Sequence, residues 1–302
     1  MLCHQAIIKE FMLGGLSQQR QHHRPIRKQR MFQPETTKRP SGILVLAEVI
    51  YHTAVRKLRQ EHRNAVVGLI LSVMQVLVMV GAFFIMFLVL GMRSSPIRGD
   101  FLLYIMTGIF MYMTHVRALS AVAGAAGAAS PMMQHAPMNT IVAVVASAIA
   151  SLYTQFLALC IILTVYHIAF TPITIYNPKG AMAMMLLAWF TGIGVGLIFR
   201  AIVPWMPDLA PLIRRLYIRI NMIASGKMFV VNLLPASMVA LFDWNPLFHI
   251  IDQVRGFVFL HYSPFVTSIS YPIYVGIGLL MIGLMGEFYT RGKVSKSWQA
   301  GR

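Results

Sequence analysis

The sequence predicts an all-α membrane protein with six transmembrane helices, an N-terminal amphipathic interface helix, and a re-entrant helical hairpin between spans five and six. Three observations carry that expectation. Hydrophobic residues make up 57% of the chain and charged residues 12%, at a mean hydropathy of +0.67. That is more apolar surface than one soluble core of this length encloses. Six segments meet the requirement of about 20 mostly apolar residues for a spanning helix. Between the last two lies a proline-broken stretch, residues 234–259, too polar to cross a bilayer and too apolar for a solvated loop.

Taken in order, residues 1–40 are rich in Gln, His, Arg and Lys without apolar periodicity, the composition of a disordered basic tail. Met31 is an alternative start. No signal-peptide pattern is present, because basic residues crowd the place where its apolar core would lie. In residues 41–63, Ile43, Leu46, Ala47, Ile50, Ala54, Val55 and Leu58 recur at helical spacing while Glu48, His52, Arg56, Arg59 and Arg63 take other faces. This predicts a helix lying on the membrane surface, as a plain anchor or a moving gate. Residues 64–290 form the transmembrane domain, with spans at 65–90, 101–123, 140–170, 181–203, 212–231 and 271–288. The fifth is the least apolar, since Arg214, Arg215 and Arg219 fall in its first two turns and Lys227 lies further in. Residues 291–302 form a basic tail.

Lys and Arg near the span ends set the orientation. Arg56, Lys57, Arg59 and Arg63 precede the first span, Arg214, Arg215 and Arg219 flank the fifth, and Arg291, Lys293 and Lys296 follow the sixth. The opposite side holds Arg93, Arg98, Lys179 and Arg255. Both termini are therefore expected in the cytoplasm, with the hairpin entering from the outer face. The net charge of +17 follows from this topology and from anionic membrane lipid, and calls for no nucleic acid. The two cysteines are too few for a disulfide framework. Cys160, inside the third span, is expected to be a small packing residue.

Charges inside spans are costly in hydrocarbon unless they meet protein, water or the interface. Arg214 and Arg215 are expected to snorkel to headgroups, and Arg219 and Lys227 to face the interior. Arg215, Arg219, Met222 and Gly226 fall on one stripe that suits a pyrophosphate or acidic sugar. His115 and Arg117, late in the second span, are placed to line the same inner entrance or to reach anionic lipid. In the hairpin, Asn245 and Pro246 are suited to cap and start the returning helix. His249, Asp252 and Arg255 share one helical side at i, i+3 spacing and are expected to form an ion-pair ladder. Tyr104, Phe110, Tyr112, Trp189 and Phe190 are candidates for an aromatic track on which sugar rings slide, or are ordinary interface and lipid-facing aromatics. Gly192, Gly194 and Gly196 on the fourth span and Gly276, Gly278, Gly283 and Gly286 on the sixth predict close helix contact, within one subunit or across a twofold dimer.

Three stretches carry a family resemblance. Gly91-Met92-Arg93-Ser94-Ser95-Pro96-Ile97-Arg98-Gly99-Asp100 with the span after it resembles the first outer turn and second span of ABC-2 export permeases, the capsular polysaccharide branch in particular. Met132-Met133-Gln134-His135-Ala136-Pro137-Met138-Asn139-Thr140 is similar to the segment by which those permeases enter their third span. Asn245-Pro246-Leu247-Phe248-His249-Ile250-Ile251-Asp252 is similar to their outer hairpin. The order is collinear over about residues 41–290. The first span departs from the family in lacking aromatics after Gly68, and a run of small residues, Gly124-Ala125-Ala126-Gly127-Ala128-Ala129, follows the second. The resemblance implies a homodimer in the bacterial inner membrane, paired with a separate cytoplasmic ATPase and with periplasmic or outer-membrane export components, moving a polysaccharide or lipid-linked glycan.

The chain has no G-x-x-x-x-G-K-[ST] loop; Ser225-Gly226-Lys227-Met228 lacks the first glycine and the hydroxyl after lysine. No cofactor is expected on this chain, and ATP is expected on the partner. Residues 118–138 offer a short helix ended by Pro131 and Pro137, in which Met132, Met133 and Met138, with Gln134 and His135 between them, make an adaptable knob for an ATPase groove or a tight connector. Two rival classes are an ion-coupled secondary transporter, which calls for two similar halves with broken helices, and a membrane-embedded enzyme. The enzyme needs catalytic groups at membrane depth, and the chain has nine Asp and Glu in all.

Overall fold

The computed structural model describes residues 42–61, 65–91, 97–125 and 140–300. Every element among them is helical: α1 (Gly42–Glu61), α2 (Ala65–Val89), α3 (Phe101–Ala123), α4 (Thr140–Ala169), α5 (Pro178–Ile202), α6 (Leu209–Ala224), α7 (Ala236–Phe242), α8 (Pro246–Val258) and α9 (Ser270–Ala300), with one 3-10 turn at Val231–Leu233. Five helices are long and apolar enough to cross a membrane: Val66–Val89, Phe101–Ala123, Thr140–Ala169, Pro178–Ile202 and Ser270–Thr290. These correspond to five of the six expected spans. The expected tail 1–40 lies outside the described residues.

The segment expected as the fifth span, 212–231, differs. Its helix, α6, is 16 residues long, about 24 Å at 1.5 Å per residue, short of a hydrocarbon core of about 30 Å. The reason is local. Arg214, Arg215 and Arg219 make the helix amphipathic, with only Ala210, Asn221 and Ala224 fully buried. Gly226 then adopts φ 72°, a left-handed conformation that ends the helix. The helix of the last span runs on past it: the apolar part ends at Thr290, and α9 continues through the expected basic tail to Ala300, with no proline after Pro272 to interrupt it.

α3 is the centre of the bundle. Its apolar stretch is 83% buried, against 17% for α9 and 22% for α2, whose large apolar side chains, among them Val78, Ile85, Met281 and Met285, stay exposed as lipid-facing residues do. Phe83 and Phe87 of α2, Ile105 and Ile109 of α3, Ile162 of α4, Met185 of α5 and Leu247 and Ile251 of α8 share one core. α5 packs along both α3 and α9, and glycines set the distance. A Cβ on Gly192 would meet the carbonyl oxygen of His115 at 2.5 Å, and one on Gly283 would lie 2.5 Å from Leu197 Cβ. The small-residue stripes thus seat helices within one chain. Gly278, by contrast, has open space around it.

α6 runs antiparallel to α3. Tyr217 lies against His115, the Ile218 carbonyl accepts from Tyr112 at 3.1 Å, and beyond the helix Lys227 abuts Gly108. α8 begins beside the end of α6, where Asn245 reaches Asn221 and Ala224. It ends beside the start of α5, where the N–H groups of Tyr176 and Asn177 donate to Val258 and Phe257. α8 is enclosed by α3, α5 and α9, and every residue from Pro246 to Arg255 is buried.

Gly283→Ala should lower stability by ~1–3 kcal/mol, since the added methyl must displace Leu197, while Gly278→Ala should leave it unchanged. Denaturant or thermal unfolding of the purified protein checks both, and equal effects would discount the close approach.

Candidate functional site

The strongest candidate is the polar system that surrounds the buried helix α8. Pro246 occupies the first turn, where a missing N–H costs nothing. The Asn245 side chain accepts from the Leu247 N–H at 3.0 Å and donates to Asn221 Oδ1 at 2.9 Å and to the Ala224 carbonyl at 3.1 Å. One amide therefore caps α8 and ties it to the end of α6. This is the capping role the sequence assigned to Asn245 and Pro246.

The expected ladder of His249, Asp252 and Arg255 does not form. The three side chains take partners other than one another: His249 and Asp252 both reach the connection between α8 and α9, His249 also reaches Asp243, and Arg255 reaches the turn after α6. His249 Nδ1 accepts from the Ser268 N–H at 3.2 Å, which leaves Nε2 to donate to Asp243, at 2.8 Å to its carbonyl and 3.0 Å to Oδ1. Asp252 accepts from the hydroxyl of Tyr262 and from Thr267 Oγ1 at 2.8 Å. Gln253 joins the same group, its Nε2 donating to Thr267 at 2.8 Å and 3.0 Å. Arg255 is completely buried. It donates to the carbonyls of Phe229 at 2.7 Å, Lys227 at 2.8 Å and Gly226 at 3.3 Å, and its guanidinium lies 4.3 Å from the Tyr104 ring centroid. The physical reason is competition: three carbonyls converging on one guanidinium satisfy its planar donors better than a single carboxylate one turn away.

Lys227 is buried as expected, but against aromatic rings. Its Nζ lies 3.5 Å from the ring centroid of Tyr112 and 5.0 Å from that of Phe83, and no hydrogen-bond partner reaches it. The rings solvate the charge through their faces. Arg219 departs from expectation: it sits on the exposed side of α6 with Arg215 and Met222, because the buried side is taken by Ala210, Asn221 and Ala224. Of the aromatic candidates, Tyr104, Phe110 and Tyr112 are buried in the core, and of the three Phe110 lines a cavity. Trp189 is half-buried and donates to the Ala148 carbonyl at 2.8 Å, while Phe190 packs where a Cβ on Gly276 would fall. The structure brings Tyr104, Tyr112, Lys227 and Arg255 together and leaves Trp189, Phe190 and Arg219 elsewhere. Met132, Met133, Gln134, His135 and Met138 lie outside the described residues.

Toward the other end of α3, His115 is enclosed between Thr191 Oγ1 at 3.1 Å and the Tyr217 hydroxyl at 3.2 Å, so it does not line an entrance. The Thr191 hydroxyl donates to the Ala188 carbonyl, so its oxygen accepts the hydrogen bond from His115 Nδ1–H. Arg117 donates to Gln75. Arg200 of α5 pairs with Glu287 of α9 at 3.2 Å and donates to the Ala125 carbonyl at 2.7 Å. Sequence reasoning missed this pair, although opposite charges at the ends of two apolar spans were the signal for it. It also missed Tyr262 and Thr267, whose hydroxyls carry no pattern in a short polar segment. Among the described residues, no three His, Cys, Asp or Glu side chains gather as a metal site.

At the end where α3 starts, Asp100 caps that helix, accepting from the N–H groups of Leu102 at 2.9 Å and Leu103 at 3.4 Å, and from the hydroxyls of Thr171, at 2.7 Å, and Tyr166. Burial pushes its carboxyl up, but those hydrogen bonds outweigh burial and hold it below its ordinary value of 3.8.

The sequence matches no protein-family model, and no curated protein registers as a relative.

Two expectations follow from this geometry. Arg255→Ala should cost ~3 kcal/mol or more, because several charge-assisted bonds are lost and carbonyls are left buried, and Arg255→Lys should rescue little of it; unfolding in detergent measures both. Asp100 contributes stability that is present above the ordinary carboxyl value and lost as pH falls through its lower folded value. The gap in melting temperature between the wild type and Asp100→Asn should therefore be widest above about pH 5 and close below 3.8.

Proposed function

We propose that this chain is the permease subunit of an ABC-2 type exporter that moves a polysaccharide or lipid-linked glycan across a bacterial inner membrane. It works as a homodimer with a separate cytoplasmic ATPase and hands its cargo to periplasmic or outer-membrane components. The observation that carries this reading is the course of the chain around α8. α6 runs antiparallel to α3, the chain turns at Gly226, and Asn245 returns to the end of α6. α8 then runs back toward the end where α3 and α5 begin. Such a path supports a re-entrant hairpin over residues 234–259, dipping into the membrane and leaving on the side it entered. A short α6, extended by the turn after it, then serves as the sixth crossing, which returns both termini to the cytoplasmic side.

The stretch that resembles the outer hairpin of ABC-2 permeases, Asn245 to Asp252, forms the cap and first turns of α8, which supports this path. The chain carries no phosphate-binding loop of its own, so work on a bulky hydrophilic cargo has to be delivered by a companion. Non-helical backbone at membrane depth is tolerated where protein covers it, and the carbonyls of Gly226, Lys227 and Phe229 are covered by Arg255. α1 (Gly42–Glu61), with Val45, Leu46 and Val49 exposed, suits the membrane surface at the cytoplasmic side.

Purification of the tagged chain from its native membrane should bring down a Walker-motif ATPase, and deletion of the gene should remove surface glycan. Asp252→Ala should impair glycan delivery while the protein still inserts, and Met133→Asp should lower partner-stimulated ATP hydrolysis. Complete turnover by the chain alone in vesicles would overturn the reading.

A further inference from the structure

Two cavities adjoin at the end of the bundle where α3 begins. The first is a cleft of about 520 Å³ between the start of α3, the α4–α5 connection and the end of α8; Arg98, Asp100, Thr171 and His261 stand on its wall. The second, of about 250 Å³, lies deeper among α3, α4, α5 and α8, and its wall is formed by Met106, Phe110, Leu159, Leu163 and Met185. Leu103, Ile175 and Val258 line both. The space thus passes from charged to apolar along the direction of the helices. Phe156 and Met182, exposed residues of α4 and α5, stand at the side of the apolar part together with Cys160. Cys160, expected to be a small packing residue, is therefore an exposed residue that lines the cavity.

This arrangement selects among ligands. A free sugar would satisfy the cleft and leave the apolar part unfilled, since water finds few polar partners there. An alkane-like molecule would do the reverse. A fatty acid or a phospholipid with a purely anionic headgroup would bring negative charge to Arg98 but also to the Asp100 carboxylate, which stands on the same wall. A headgroup that carries both signs meets each with its opposite. We propose that the two cavities form one binding site for an aminophospholipid, with its phosphate at Arg98, its ammonium at Asp100 and one acyl chain in the apolar cavity between α4 and α5.

The site requires only a membrane around the bundle and is indifferent to what the chain transports. Each wall comes from a different element: Leu103 from α3, Cys160 from α4, Ala181 from α5 and Val258 from α8. A bound lipid therefore ties α8 to α3, α4 and α5 through Val254 and Val258, on a face of α8 next to the one that carries Arg255. Wild-type full-length protein, purified in mild detergent and analysed by native mass spectrometry, should retain phosphatidylethanolamine in preference to phosphatidylglycerol. Ala181→Phe, which fills the apolar cavity, should lower retention about tenfold. Ala183→Phe, on the exposed side of the same helix, should leave retention unchanged. Asp100→Asn should abolish the preference for the amine headgroup while lipid still binds. As a readout that needs no variant, phosphatidylethanolamine added to delipidated wild type should slow alkylation of Cys160 severalfold, and phosphatidylglycerol should not. Equal retention of the two lipids by the wild type, equal protection of Cys160 by both, or full retention by a folded Ala181→Phe protein would overturn the proposal.

Discussion

The architecture depends on one guanidinium. Arg255 is buried without exposure, and an unpaired charge there would cost several kcal/mol. It is held by the carbonyls of Gly226, Lys227 and Phe229 and by the face of Tyr104. The dependence runs both ways. Those carbonyls belong to a turn that has left α6 and has no helical partners for them, so the turn exists in the interior because Arg255 supplies donors. Three elements meet at this side chain: α8 provides it, the turn after α6 accepts from it, and α3 offers the ring. The Asn245 amide repeats the arrangement at the start of α8, with partners in Asn221 and Ala224. α8 is thus fixed at two points, at its N-cap and about one turn before its C-terminal end.

Much of this fold was legible in the sequence, and the failures have identifiable causes. Long apolar runs fix α2, α3, α4, α5 and α9, because only a helix satisfies its own backbone in lipid. The glycines of α5 and α9 were correctly read as contact residues with the exception of Gly278, which has open space around it. α6 was read too long because residues 225–231 continue the apolar composition, and composition does not reveal that Gly226 takes a positive φ. Its arginines were the signal: three charges in two turns give an amphipathic helix with one buried side.

The site was legible in part. The i, i+3 spacing of His249, Asp252 and Arg255 correctly placed them on one side of a helix, and that burial called for partners. It did not say which partners. Asp252 found hydroxyls from Tyr262 and Thr267 and Arg255 found carbonyls, all from segments that are distant in sequence or lack regular structure, where no period connects donor to acceptor. Lys227 was placed inside correctly, but its partners are the rings of Tyr112 and Phe83, a pairing that depends on how α2 and α3 pack.

The distribution of polar ties also bears on what is able to move. At one end of the bundle Asp100 joins the start of α3 to Tyr166 and Thr171 of the α4 end, and at the other Arg200 and Glu287 join α5 to α9. Along α3, hydrogen bonds from Tyr112 and His115 reach α6. Between α2 and the rest, by contrast, the described contacts are mainly apolar packing with Lys227 over Phe83 and Gln75 against Arg117. Apolar surfaces slide or part at a cost proportional to area, whereas converging hydrogen bonds fail as a unit. A working cycle that widens this bundle would therefore separate α2 before it disturbs α3, α5, α8 and α9. The Lys227 ammonium, with a ring on each side and no acceptor in reach, is the charged group such a separation would uncover.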